Sequence, residues 1–184
     1  AIRWPRRACL TGAALLAGLA WRAALAPSSR PVTVTFLDVG QGSCAVIRLP
    51  SGRAILWDAG PPFAGSQVVA PYLAHEGIGR LAAVLLTHTH ADHLGGLAAV
   101  LGRVPADRLL LTGHAWAGRR PPVDRAPVGI VWDGMRLEGE PGVVLRLLHP
   151  PRRFFRGGPK AQAIDENSLV LAIETAGARA LLAG

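Results

Sequence analysis

Three histidines and an aspartate fall within six residues at His88-Thr89-His90-Ala91-Asp92-His93. Neutral imidazole nitrogen and carboxylate oxygen are zinc ligands, and manganese or iron also accept them. His88 and His90 are two residues apart, so one bend turns both toward a single ion. Asp92 and His93 come on the next turn and suit a second ion. An ion held there would lower the pKa of bound water toward neutrality. The competing reading is a polar surface loop that happens to hold histidines. Its position argues against that: three of the chain's six histidines follow directly on the apolar run Leu81 to Leu86.

That run predicts a buried strand, and the apolar spacing of Leu94 to Leu101 predicts a helix. The ligand-type residues therefore sit where a core strand ends, the place where open α/β sheets keep their chemistry. Gly95 and Gly96 let the backbone pass close to the site. Further strands are predicted at Val32 to Leu37, Cys44 to Leu49, Ala54 to Trp57, Arg108 to Leu111, Val143 to Leu148, Ser168 to Ile173 and Arg179 to Leu182. Asp38 to Ser43 reads as a Gly-rich turn, with further turns at Ser51-Gly52 and Ala176-Gly177. Gln67 to His75 reads as an amphipathic helix capped by Gly77, with His75 on its surface. Gly113 to Ala126 and Arg152 to Glu166 read as loops, the first able to border a substrate groove. His114 lies in it as an exposed loop histidine. Periodicity alone gives α and β mixed.

A chain of 184 residues holds one globular domain and an appendage. The boundary falls at residue 31, dividing 1–31 from 32–184. Ala8 to Ala26 is apolar apart from Thr11 and Arg22, and about 20 such residues suffice to cross a bilayer. Arg22 lies near one end and can snorkel. Arg3, Arg6 and Arg7 precede the segment and set a cytoplasmic start, with the globular part outside the cytoplasm. A cleavable leader is the rival, with Ala24-Leu25-Ala26 as its cleavage site and Pro27 against it. The formal charge is +8, of which five arginines before Val32 supply +5. The globular part is only mildly basic. Arg119, Arg120, Arg152, Arg153, Arg156 and Lys160 form two loop groups able to touch phosphate, or simply solvated. Cys9 and Cys44 differ too much in setting to pair.

His88-Thr-His90-Ala-Asp92-His93 resembles the HxHxDH signature of the metallo-β-lactamase fold. Phe36-Leu37-Asp38-Val39-Gly40-Gln41-Gly42 resembles the FLDVGQG opening of the ComEC competence family, with Ser43 where that family usually has Asp. Glu166-Asn167-Ser168-Leu169-Val170-Leu171 resembles the same family, and the likeness covers about Val32 to Gly184. It implies an α+β, four-layer αββα sandwich, truncated at its C-terminus and preceded by one transmembrane helix. It implies a divalent cofactor, zinc or manganese, with up to two ions in the full-length domain. His88 and His90 hold the first, Asp92 and His93 the second, and Asp92 also orients the water. Asp58, which turn chemistry alone would also explain, is implied to support the ligands from behind. Asn167, Ser168, Asp38 and Gln41 are implied on the substrate side.

Two departures follow from the same resemblance. Asn167 stands where many superfamily hydrolases have another histidine ligand, with His149 near but out of register. The family's bridging aspartate would follow Gly184, so the expectation for this chain is weak binding: one ion at His88 and His90, completed by water. The implied role is nuclease action on the DNA strand not imported during uptake, in a multi-pass protein of the bacterial cell membrane, with other uptake proteins as partners. A secreted small-molecule hydrolase and a non-catalytic DNA-guiding module are the alternatives.

Overall fold

The computed structural model describes residues 30–113, 115, 126–137, 140–152 and 165–184. The predicted membrane segment, Cys9, His114, Arg119, Arg120, Arg153, Arg156 and Lys160 lie outside the described residues. No helix among the described residues is long and apolar enough to cross a membrane.

Among the described residues, ten strands form two sheets. The first holds β1 (Thr33–Phe36), β2 (Ala45–Arg48), β3 (Ala54–Trp57), β4 (Leu81–Leu86), β5 (Leu109–Thr112) and β6 (Val128–Val131), in chain order across the sheet. The first three strands pair antiparallel and the β3-β4-β5-β6 steps are parallel. The second sheet runs β10 (Arg179–Ala183), β9 (Val170–Thr175), β8 (Val143–His149), β7 (Arg136–Leu137), antiparallel throughout.

Alternation decides which residues fill which layer. Ala54, Leu56, Val84, Leu86, Leu109 and Leu111 pack with the helices. Ile55, Trp57, Leu85 and Leu110 turn the other way, onto Leu145, Leu147, Leu171 and Ile173 of the second sheet. Both faces of the first sheet are buried, as parallel sheets require. The helices on its outer face are α1 (Pro62–Ala64), a π-helical turn (Gly65–Val69), α2 (Ala70–His75), α3 (Ala91–Leu94) and α4 (Leu97–Arg103). The described residues thus make three layers, helix on sheet on sheet. The expected fourth, helical layer and the transmembrane helix are not among them.

The first helical stretch starts earlier than its apolar pattern suggests, because Pro62 is tolerated in a first turn. Its end is as expected: Gly77 takes φ +67, its N–H bonds to Ala74 O at 3.1 Å, and Ile78 N–H bonds to Leu73 O at 2.8 Å, a Schellman closure. His75 is exposed. Strands β6 and β7 were not expected. Gly129 interrupts the apolar pattern of one, and the other is only two residues long.

Candidate metal centre

The site lies where β3 and β4 leave the first sheet side by side, Trp57 opposite Leu85. The Asp58 N–H extends the ladder to Leu85 O at 2.9 Å, and the backbone then turns through φ +55. That left-handed conformation is uncommon outside glycine, and Asp tolerates it better than most. The turn buries the Asp58 carboxylate beneath the end of β4. There it accepts hydrogen bonds from Thr87 N–H at 2.9 Å and Thr87 Oγ1 at 2.8 Å, and faces His93 Nδ1 at 2.7 Å. Burial pushes its pKa above the usual carboxylate range, against the pull of His93 and Thr87. For His93, burial disfavours the charged ring, but the bond to Asp58 and its charge outweigh that and raise the pKa. With Nδ1 tied to a carboxylate, His93 keeps Nε2 for the site, as in carboxylate–histidine–metal arrangements. That nitrogen lies 3.8 Å from Asp92 Oδ2.

His88 is buried and is fixed from behind in the same manner. Its Nδ1 lies 3.0 Å from Thr87 Oγ1 and 3.2 Å from Ser168 Oγ. Burial, with His93 and His90 beside it, lowers its pKa to about 4. The ring is therefore neutral at ordinary pH, the state that ligates a metal. His88 Nε2 lies 3.6 Å from Asp165 Oδ1, and His90 Nδ1 lies 3.1 Å from the same oxygen. These three donor atoms all lie within 4.8 Å of one another. An ion with tetrahedral ligands about 2.0–2.1 Å away needs donors roughly 3.3–3.4 Å apart. These two separations bracket that spacing and the third stays within 4.8 Å, so His88, His90 and Asp165 fit a divalent ion.

The glycines make the closeness possible. A Cβ on Gly42 would lie 2.2 Å from the Asp92 carbonyl oxygen, and Ser43 N–H bonds to that oxygen at 3.2 Å. The Gly-rich turn before β2 therefore clamps the first turn of α3. A Cβ on Gly96 would meet Ala59 O at 2.2 Å. The second sheet closes the other side: Leu169 N–H bonds to Thr87 O at 3.2 Å, and a Cβ on Gly184, at the end of β10, would lie 2.2 Å from Thr87 Cβ.

The structure thus brings together Asp58, His88, His90, Asp92, His93 and Ser168, all expected from the sequence. Asn167, next to Ser168 in the chain, is buried. Asp38 and Gln41 are exposed, and Asp38 Oδ1 accepts the Gly40 N–H within its own turn. Asp165, read as plain loop, joins His88 and His90 as a third donor that could hold an ion. No local pattern marks it; the sole sequence hint is an acid shortly before the Asn167-Ser168 pair that opens β9. His149 is outside the donor group and sits 2.8 Å, through Nε2, from Glu166 O. The Arg152 guanidinium stacks over Trp132 at 4.9 Å.

Comparison with known proteins agrees with this geometry. The chain is 30% identical to "Competence protein ComA" of Neisseria gonorrhoeae over 177 residues, 92% of this chain and 22% of that protein. It spans about a fifth of that relative's length. Among solved structures, a Cronobacter sakazakii metallo-β-lactamase with a HARLDQ motif (mutant S60) superposes with TM-score 0.57 at 19% identity, covering 84% of this chain and 63% of that one. Zn(2+)-bound PqqB from Methylobacterium extorquens superposes with TM-score 0.50 at 21% identity, covering 89% and 56%. These structures share the fold. The family described as "Metallo-beta-lactamase superfamily" matches residues 37–159, and the chain belongs to that superfamily.

Proposed function

We propose that this chain is the metal-dependent hydrolase domain of a DNA-uptake membrane protein, a phosphodiesterase acting on the DNA strand that is not imported. The observation that carries the reading is the His88, His90 and Asp165 donor group, with Asp92 and His93 beside it, in a chain similar to a competence protein over 92% of its length. A bound divalent ion supplies Lewis acidity and an activated water. His88, His90 and Asp165 would hold it, and Asp92 with His93 would offer the start of a second position. Zinc is held by the PqqB relative, and manganese suits the same mixed donors. Asp58 and Thr87 fix the His93 and His88 rings so that their Nε2 atoms face inward. Asp92, partly exposed and 3.8 Å from His93 Nε2, would take a proton from an attacking water. Residues 8–26 cross the membrane and put the hydrolase outside the cytoplasm.

Cleavage of single- and double-stranded DNA with manganese or zinc tests the reading. Asp92→Ala and His90→Ala should each lower the rate on the order of 10²-fold or more. Hydrolysis of lactams or thioesters without any DNA cleavage would replace the nuclease reading with a small-molecule hydrolase. DNA binding indifferent to a chelator, without turnover, would make the chain a guiding module. A reporter fused after Gly184 in the membrane-embedded parent should be active only when exported.

A further inference from the structure

Asp165 is the outlier of the donor group. Its side chain is 61% exposed, whereas that of His88 is 7% exposed. A carboxylate this exposed takes its position from the backbone that carries it. Two bonds among the described residues bear on that backbone. Ser168 N–H closes a turn onto Asp165 O at 3.0 Å. The second is long-range: His149 Nε2 lies 2.8 Å from the Glu166 carbonyl, from the end of a different strand.

The sheet is shaped to make this second bond. In β8 the register with β9 shifts between Leu147 and His149, with Leu147 opposite Leu171 and His149 opposite Val170. Leu148 is the extra residue, and it is exposed. With the regular register continued, His149 would sit opposite Leu169. A bulge next to a site characteristically re-aims a side chain. Here His149 stands opposite Val170 at the head of β9, just past the end of the Asp165–Ser168 turn. A carbonyl oxygen only accepts, so the ring must donate through Nε2–H.

We propose that His149 is a positioning residue: its bond to Glu166 O fixes the turn that presents Asp165 to the ion held by His88 and His90. The inference rests on the metal-centre reading above and extends it. His149 touches neither ion nor substrate, and acts only through Asp165.

The test is Zn2+ affinity of the whole chain, measured without substrate by competition with a chromophoric chelator. His149→Ala should weaken binding about 10–100-fold, the usual effect of losing a ligand's supporting partner. His149→Gln, which keeps an N–H donor, should recover most of it. In an Asp165→Ala background, His149→Ala should cost less than about 2-fold, because the ligand it positions is gone. Thermal melts of the metal-free proteins separate this from general unfolding. The proposal is overturned if His149→Ala leaves affinity unchanged while Asp165→Ala lowers it, or if the His149→Ala loss persists in full without Asp165. If His88→Ala and His90→Ala leave zinc binding intact, the metal-centre reading itself fails. If those two abolish binding and Asp165→Ala does nothing, that reading survives and the His149 inference falls.

Discussion

Asp58 Oδ2 and His93 Nδ1 lie 2.7 Å apart, one fully buried at the end of β3 and the other on the first turn of α3. The pair joins two strand ends to the site helix, and Thr87 completes it from β4 through two further bonds. Asp58→Ala leaves the Thr87 N–H without its acceptor in a buried place. Metal-free protein should lose about 3 kcal/mol of stability by urea unfolding. Zinc affinity should fall about 10–100-fold as the His93 ring loses its fixed orientation. Asp58→Asn should recover much of the stability and little of the metal binding, because its amide cannot accept from His93 in the same way.

Ion number follows from the donors. His88, His90 and Asp165 would give one ion three protein ligands, whereas Asp92 and His93 would give a second only two among the described residues. The 184-residue chain should hold one ion tightly by elemental analysis after dialysis, and Asp165→Ala should release most of it. Two tightly held ions would mean that His114 or another residue outside the described ones reaches the site.

The close backbone contacts predict a contrast between two glycines. Gly96→Ala puts a Cβ 2.2 Å from Ala59 O, with Gly65 backbone 2.8–2.9 Å away, and nothing flexible there can yield. A cost of about 2–3 kcal/mol is expected, with weaker metal binding. Gly77→Ala meets nothing within 4 Å and suffers only from φ +67. Its cost should be about 1 kcal/mol, with metal binding unchanged.

Cys44 gives the pH dependence. Its thiol is buried, 3.5 Å from Asp58 O, and burial together with the Asp58 charge pushes its pKa to about 12. The folded state therefore keeps a proton that the unfolded state loses near pH 9. Stability from this group is intact below pH 9 and is lost as pH rises from there toward 12. In a Cys9→Ser background, urea midpoints should decline above pH 9, and less so once Cys44→Ala is added. Cys44 should resist a thiol reagent at pH 8 until urea unfolds the chain.

The histidines were legible in the sequence because they are local: one strand end and one helical turn hold His88, His90, Asp92 and His93. Asp58 was legible only through the family resemblance, because turn chemistry explains an acid at the end of β3 near Gly60 equally well. Asp165 could not be read from spacing. Its place comes from the β8-β9 pairing, a relationship that no local periodicity records, and from a bulge at Leu148 that looks like ordinary strand. The Gly-rich turn at Gly40-Gln41-Gly42 was noticed for its composition, yet its observed work is steric. It lets the Asp92 backbone approach, while Asp38 and Gln41 remain at the surface.

The donor group straddles the sandwich. His88 and His90 leave the first sheet, and Asp165 leads into the second. An ion there would act as a clasp at the end where Leu169 N–H to Thr87 O and Ser168 Oγ to His88 Nδ1 already join the two layers. At a free concentration a thousandfold above its Kd it adds about 4 kcal/mol to the folded state. Opening the sandwich at that end requires the ion to leave first. Metal loading should therefore lengthen the protein's survival under protease, and the length of that survival becomes a measure of how long the ion stays bound.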